Sequence, residues 1–112
     1  MVIAFTAKGT QWDAAMDPRF GRTDYLLIYD DQQDSLRAVD NTDVEEAAHG
    51  AGPRTAKRLF DQQANVLITG NGPGGNAAAV LERGNVQVYV GAGNLTVREA
   101  YGAWKQGSLN KA

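Results

Sequence analysis

The apolar run Val2–Ala7 constrains the fold of this chain more than any other feature, because nearly every side chain in it avoids water. Strands that are apolar on both faces are typical of the interior of an α/β sheet, where helices cover each side. Four more apolar segments are predicted to be strands. They are residues 25–29, 36–39, 66–69 and 86–90.

Helical patterns alternate with the later strands. Pro53 suits the first turn of one helix, and Gly84 follows the last apolar position of a second. A third helix begins at the capping-box pattern of Thr96 and Glu99. The order β-β-β-α-β-α-β-α predicts an antiparallel meander, with the last two strands added parallel to the first by right-handed crossovers. We therefore expect a ribonuclease-H-like α/β fold, in which a five-stranded mixed sheet of order 3-2-1-4-5 has strand 2 antiparallel and helices on both faces.

The length of 112 residues fits one domain, which we place at residues 1–107, with residues 108–112 as a frayed C-terminal tail. The charge is nearly balanced, with 11 basic and 13 acidic residues, so the basic excess of a nucleic-acid-binding protein is missing. No segment is long and apolar enough to cross a membrane, and no signal-peptide pattern opens the sequence. We expect a cytoplasmic protein without nucleic-acid or membrane partners.

Cysteine is absent from the sequence, which excludes disulfides and thiolate ligands, and His49 is the single histidine. The residues therefore predict neither a protein-ligated metal site nor a catalytic group. A nuclease of the same fold would need carboxylates that hold two divalent metals, and the first and fourth predicted strands carry none. Acyl or phosphoryl transfer has no support either, because His49 follows no nucleophile pattern.

The loop after the first strand contains the hexapeptide 17–22, which reads Asp-Pro-Arg-Phe-Gly-Arg. A simple turn needs only Pro or Gly, whereas the guanidinium groups of Arg19 and Arg22 present planar forks of donors to anions. The alternative is that Asp17 pairs with Arg22 and the loop merely reverses the chain. Both interpretations remain open from the hexapeptide alone.

In the predicted topology, four loops emerge at the carboxyl edge of the sheet, where α/β proteins bind ligands. Their glycines allow close backbone approach, the helices that start there direct N–H groups outward, and Lys8 and Arg54 add positive charge. Trp12 and Phe20, aromatic residues in a polar loop, are interpreted as walls of a pocket. The loops are residues 8–22, 41–52, 70–76 and 91–95, and we expect the first to be mobile when the site is empty.

Several motifs occur in an order that is similar to one known family. They are the hexapeptide, His49-Gly50-Ala51-Gly52, the turn Thr69-Gly70-Asn71-Gly72-Pro73-Gly74 with Asn76-Ala77, and Thr96-Val97-Arg98-Glu99-Ala100. Over essentially the whole chain, these motifs resemble the dinitrogenase iron-molybdenum cofactor biosynthesis family. That family includes nitrogenase accessory cluster carriers and orange protein-like members, and its fold is the ribonuclease-H-like one.

The resemblance implies a noncovalent carrier of a metal–sulfur cluster rather than an enzyme. The cluster is iron–molybdenum–sulfur in nitrogenase-associated members and an anionic molybdenum–copper sulfide in orange protein-like members. Arg19 stands where cofactor-carrying accessory members have a ligating histidine, so the arginine favours the molybdenum–copper sulfide. The implied partners are the cluster and proteins that deliver or accept it. The candidate cofactor-binding residues are Trp12, Arg19, Phe20, Gly21, Arg22, His49, Gly72, Gly74, Gly75 and Asn76.

A regulatory or protein-interaction domain of the same fold, which binds no cluster, is the alternative function. In that hypothesis, Trp12 and Phe20 contact a partner protein. The colour of the purified protein distinguishes the two functions.

Overall fold

The computed structural model describes residues 1–43 and 50–112. Within them, a mixed sheet is flanked by three helices. In chain order, the elements are β1 (Val2–Ala7), β2 (Tyr25–Asp30), β3 (Ser35–Asp40), α1 (Ala51–Asp61), β4 (Val66–Ile68), α2 (Gly75–Arg83), β5 (Gln87–Val90), α3 (Val97–Lys105) and β6 (Asn110–Lys111).

The sheet has the order β3-β2-β1-β4-β5-β6. β1 pairs antiparallel with β2 and parallel with β4, so that Ala4 lies between Ile28 and Leu67. β2 pairs antiparallel with β3, and β4 pairs parallel with β5. The ribonuclease-H-like order that the sequence predicts is therefore confirmed, with one additional strand.

Helices cover both faces of the sheet, as the apolar character of β1 predicts. Ile3, Phe5 and Ala7 belong to the core on the α3 side, whereas Ala4 belongs to the core beneath α1 and α2. All four side chains are fully buried. Burial of a large aliphatic or aromatic side chain stabilises a fold by roughly 1.5–3 kcal/mol, so β1 contributes to both cores.

The C-terminal tail differs from the expectation of a frayed segment. Asn110 and Lys111 form β6, which pairs antiparallel with β5, and the N–H of Ala112 donates to the carbonyl of Val88 at 2.8 Å. Gly107, at φ 75°, turns the chain back after α3, and this left-handed conformation suits glycine. Leu109 packs on the α3-side core, so backbone pairing and apolar contact both hold the tail.

Three loops meet at Gly70, two residues after the end of β4. A Cβ atom at Gly70 would lie 2.6 Å from Cα of Pro18 and 2.9 Å from Cα of Gly93. Both neighbours are backbone atoms, which cannot move aside as a flexible side chain can. Glycine at this position therefore allows the loops after β1, β4 and β5 to pack directly on one another.

We expect Gly70→Ala to destabilise the protein by about 1–3 kcal/mol, because the added methyl group would overpack this junction. Gly102→Ala is the matched control, since a Cβ there meets no atom within 4 Å and lies inside α3. That control should stabilise the fold by about 0.5–1 kcal/mol, as alanine favours the helix. Thermal or denaturant unfolding measures both changes, and equal stability of Gly70→Ala and the wild type would contradict the packing described.

Candidate functional site

The loops at the carboxyl edge of the sheet are held together by backbone hydrogen bonds. The N–H of Asn71 donates to the carbonyl of Pro18 at 2.7 Å, and that of Gly91 donates to the carbonyl of Gly70 at 3.0 Å. On the α3 side, the N–H of Met16 donates to the carbonyl of Leu95 at 2.9 Å. The predicted convergence of the loops is therefore present among the described residues.

Asp17 fixes the conformation of the hexapeptide. Its side chain is fully buried and accepts from Nε and Nη2 of Arg19 at 3.1 and 2.9 Å. The backbone N–H groups of Arg19 and Asp24 donate to the same carboxylate at 3.0 and 3.3 Å. The carboxylate thus pairs inside the loop, as one interpretation of the sequence required, but its partner is Arg19 and not Arg22.

The charge of Asp17 is stabilised although the residue lies inside the protein. Burial raises the pKa of its carboxyl, but hydrogen bonds from Arg19 and the positive charge of that residue outweigh burial. The net result is a pKa below the ordinary value. The Arg19 side chain remains 49% exposed, so the ion pair fixes its direction and lowers the net charge that it brings to the edge.

Two helix N-termini lie side by side at this edge. A Cβ at Gly52, in the first turn of α1, would lie 3.5 Å from Cβ of Ala77 in the first turn of α2. The N-caps are Gly50 and Gly74, which have no side chain to accept from first-turn N–H groups, and neither first turn contains an acidic residue. These N–H groups favour an anion, because they carry the positive end of the helix dipole.

The N-terminus of α3 is satisfied by its own side chains. The hydroxyl of Thr96 accepts from the N–H of Glu99 at 3.2 Å, and the Glu99 carboxylate accepts from the N–H of Thr96 at 2.9 Å. The capping box that the sequence predicts is confirmed. Among the helices of the described residues, the N-termini of α1 and α2 are therefore better suited to a bound anion than that of α3.

Most of the predicted site residues belong to the hexapeptide or to the start of α2. Gly21 lies against the first turn of α1, where a Cβ would be 2.9 Å from the backbone nitrogen of Gly52. Arg19 and Arg22 flank it in the same hexapeptide. Gly74, Gly75 and Asn76 are exposed at the start of α2, and a Cβ on either glycine would meet open space. His49 lies outside the described residues.

The two predicted aromatic walls have packing positions on opposite sides of the sheet. Phe20 is 4% exposed in the core beneath α1 and α2. Trp12 packs on the α3-side core, with its ring 4.9 Å from Tyr29 and 5.6 Å from Tyr101 between centroids. The structure therefore does not bring Trp12 and Phe20 together around one pocket.

Gly72 lines a groove of about 670 Å³ to which no residue of the hexapeptide contributes. The groove runs between α2 and the strands β5 and β6, with Leu81 and Val88 in its wall and Lys111 near the tail. Neither Arg19 nor Arg22 lines it. Donors suited to an anion are found instead at the arginines of the hexapeptide and at the N-termini of α1 and α2.

Within residues 1–43 and 50–112, no group of three or more His, Cys, Asp or Glu side chains is arranged to hold a metal ion. In the same ranges, no helix combines the length and apolar character needed to span a membrane.

Residues 1–107 match the family model described as dinitrogenase iron-molybdenum cofactor. The chain belongs to this family. Among solved structures, the apo form of the orange protein from Desulfovibrio gigas is 35% identical with a TM-score of 0.91, over 99% of this chain and 92% of that one. A NifB-like protein from Thermotoga, assigned to the DUF35 family, is 33% identical with a TM-score of 0.83, over 98% and 91% of the chains. A search of curated protein sequences gives no match.

In this member of the dinitrogenase cofactor family, sequence reasoning missed the buried polar residues that support the hexapeptide. Thr6 and Thr69 are fully buried, their hydroxyl oxygens lie 2.9 Å apart, and Thr6 donates to the carbonyl of Asp17 at 2.8 Å. A signal exists in the sequence, because each threonine lies within the last two residues of an apolar run that leads into a loop of the site. A buried hydroxyl needs a hydrogen-bond partner, and here the loop provides it.

We expect Asp17→Asn to destabilise the protein at pH 7 by about 1–3 kcal/mol, because it removes the charge that Arg19 pairs with. The lowered pKa means that the carboxylate contributes stability above its unfolded pKa, near pH 4, and that this contribution is lost as pH falls through the folded pKa. The gap between variant and wild type should therefore narrow below about pH 4. Asp24→Asn is the control, because Asp24 is a second carboxylate near Arg19 but lies 4.0 Å from it, farther than the 2.9 Å of Asp17. A gap that is constant from pH 7 to pH 3 would contradict the ion pair.

The hydrogen bonds of the loop favour a fixed segment over the mobile one that the sequence predicts. The N–H of Asp17 donates to the carbonyl of Thr6 at 2.8 Å, and Met16 is 1% exposed. We expect the amides of Met16 and Asp17 to exchange with solvent at least ten times more slowly than exposed loop amides, by roughly 1.4 kcal/mol of protection. Amide hydrogen exchange of the cluster-free protein measures this, with the exposed turn residue Asp34 as reference.

Proposed function

We propose that this chain is a noncovalent carrier or scaffold for an anionic metal–sulfur cluster, and that it is not an enzyme. The observation that supports this most is the pair of glycine-capped N-termini of α1 and α2, which adjoin at Gly52 and Ala77. The hexapeptide with its two arginines packs against one of them. Membership of the dinitrogenase iron-molybdenum cofactor family and likeness to the orange protein support a carrier role.

The proposed cargo is a molybdenum–copper sulfide, in preference to an iron–molybdenum–sulfur cluster. The whole chain lacks cysteine, and arginine occupies position 19. Such residues suit a cluster that arrives with its own sulfide ligands and needs hydrogen-bond donors rather than metal ligands. Sulfides that carry negative charge accept from guanidinium and backbone N–H groups.

Each residue of the proposed site has a physical role. Arg19 and Arg22 supply positive charge, and Gly21 lets the hexapeptide approach α1. Gly74 and Gly75 leave the start of α2 open, and the N–H groups of Gly75 and Asn76 are donors in its first turn. For Gly72 and His49, a cluster contact stays a prediction from the sequence, as it does for the rings of Trp12 and Phe20.

Proteins that deliver or accept the cluster complete the proposal, and a cytoplasmic location remains a prediction from the sequence. The alternative function, an interaction domain that binds no cluster, is one of the outcomes of the test below.

The test mixes cluster-free protein with tetrathiomolybdate and copper, removes unbound metal by desalting, and records visible absorption with metal analysis. We expect the wild type to keep charge-transfer bands and molybdenum and copper in a fixed ratio to protein. Arg22→Ala should lower retention about tenfold, since it removes one charge-assisted contact and leaves the Asp17–Arg19 pair intact. Arg19→Ala combined with Arg22→Ala should lower it further.

Arg37→Ala combined with Arg83→Ala is the matched control, because it removes the same charge from β3 and from the C-terminal turn of α2. Its retention should stay within about twofold of the wild type. That change is smaller than the tenfold loss, worth about 1.4 kcal/mol, that we expect for Arg22→Ala. Equal losses in the control and in the hexapeptide variants would reject Arg19 and Arg22 as charge partners. A wild type that stays colourless and metal-free would reject the molybdenum–copper cargo and favour an iron–molybdenum cluster or the interaction domain.

A further inference from the structure

The fully buried polar side chains of the described residues are concentrated around the hexapeptide. Each one belongs to it, lies directly beside it, bonds to its backbone or bonds to a residue that does. A buried polar group destabilises a fold unless it is hydrogen-bonded. The hydrogen bonds of these side chains therefore fix the position of the hexapeptide. The residues are Thr6, Asp17, Thr23, Asn41, Thr55 and Thr69.

Thr55 joins this loop to α1. It lies in the helix, and its hydroxyl donates to the carbonyl of Gly21 at 2.8 Å. The same hydroxyl oxygen accepts from Nδ2 of Asn41 at 3.0 Å. Asn41 also donates to the carbonyl of Thr23 at 2.9 Å, just beyond the hexapeptide. One hydroxyl and one amide thus hold the backbone on both sides of Arg22.

The Asn41 side chain is in turn hydrogen-bonded to Arg58, a residue nearer the protein surface. Nη1 of Arg58, one turn after Thr55 in α1, donates to Oδ1 of Asn41 at 2.6 Å and to Asp43 at 2.9 Å. The amide therefore has a fixed orientation, with its oxygen toward Arg58 and its NH₂ group toward Thr55. Rotation of the amide by half a turn would direct its oxygen toward the carbonyl of Thr23 and its NH₂ group toward the guanidinium of Arg58, where neither could form a hydrogen bond.

The backbones of Gly21 and Gly52 are in direct contact in the same region. A Cβ at Gly21 would lie 2.9 Å from the nitrogen and 3.0 Å from Cα of Gly52. The hexapeptide thus touches the first turn of α1, while Thr55 bonds to it from the next turn. Contact and hydrogen bond together fix the distance from Arg22 to the helix N-terminus.

We propose that Thr55, oriented by Asn41, is a positioning residue that sets the spacing between the hexapeptide and the N-terminus of α1. The inference rests on the proposed function, because those two elements are donors of the proposed anion site. A site built from separate donors binds well only when their spacing matches the ligand to within about 0.5 Å. Thr55 itself does not need to touch the cluster.

The test compares Thr55→Val, which keeps the shape but removes the hydroxyl, with Thr55→Ser, which keeps the hydroxyl. Retention of tetrathiomolybdate and copper after desalting is measured per folded protein. We expect Thr55→Val to lower retention about tenfold, because the carbonyl of Gly21 and the amide of Asn41 lose their partner and the loop shifts. Thr55→Ser should restore retention to within about twofold of the wild type.

Thr96→Val is the matched control. It makes the same substitution at the N-cap of α3, where the hydroxyl also accepts a hydrogen bond. It should lower the melting temperature and leave retention unchanged. If Thr96→Val loses as much cluster as Thr55→Val, the effect is general destabilisation and the positioning role is wrong.

A second measurement needs no cluster. Amide NMR signals of Gly21, Arg22 and Gly52 should shift, and their exchange should accelerate, in Thr55→Val but not in Thr55→Ser. Unchanged signals in Thr55→Val would overturn the inference. If the wild type retains no cluster, the proposed function fails while these signals still decide the role of Thr55. Thr55→Ala, which also lacks the hydroxyl and is smaller, replaces Thr55→Val if the latter does not fold.

Discussion

Burial of β1 on both faces is the constraint on which the rest of the structure depends. Its alternate side chains enter two separate cores, so helices must cover both sides of the sheet. β1 also pairs with an antiparallel neighbour on one side and a parallel neighbour on the other. This mixed pairing brings the ends of β1, β3, β4 and β5 to one edge, where all loops of the candidate site begin.

At that edge, hydrogen bonds between buried polar groups hold the loop, in addition to apolar packing. The hexapeptide is held by the ion pair between the buried Asp17 and the half-exposed Arg19, by buried hydroxyls and by direct backbone contact with two other loops. Unpaired, such groups would destabilise the fold, but paired they fix a loop more firmly than apolar contacts alone could. Rigid placement suits a site that relies on hydrogen-bond donors, since donors must face the ligand before it arrives.

Particular residues show how far sequence reasoning reaches. The apolar strands, the capping box of Thr96 and Glu99, and the strand order followed from local pattern and from the handedness of crossovers. The sixth strand did not, because Asn110 and Lys111 have no apolar pattern and pair only when Gly107 returns the chain to β5. The polar sequence neighbours of Trp12 predict a pocket wall, whereas its aromatic neighbours in the fold come from β1, β2 and α3.

The sequence by itself determined the class of fold, the edge where glycine-rich loops gather and the positive residues available there, because these depend on periodicity and on chain order. Only the tertiary structure decided that Asp17 pairs with Arg19, that Thr55 holds Gly21 and that the N-termini of α1 and α2 adjoin. Those contacts have angular and distance requirements of a few tenths of an ångström. They are met only after both cores have packed and brought distant segments together.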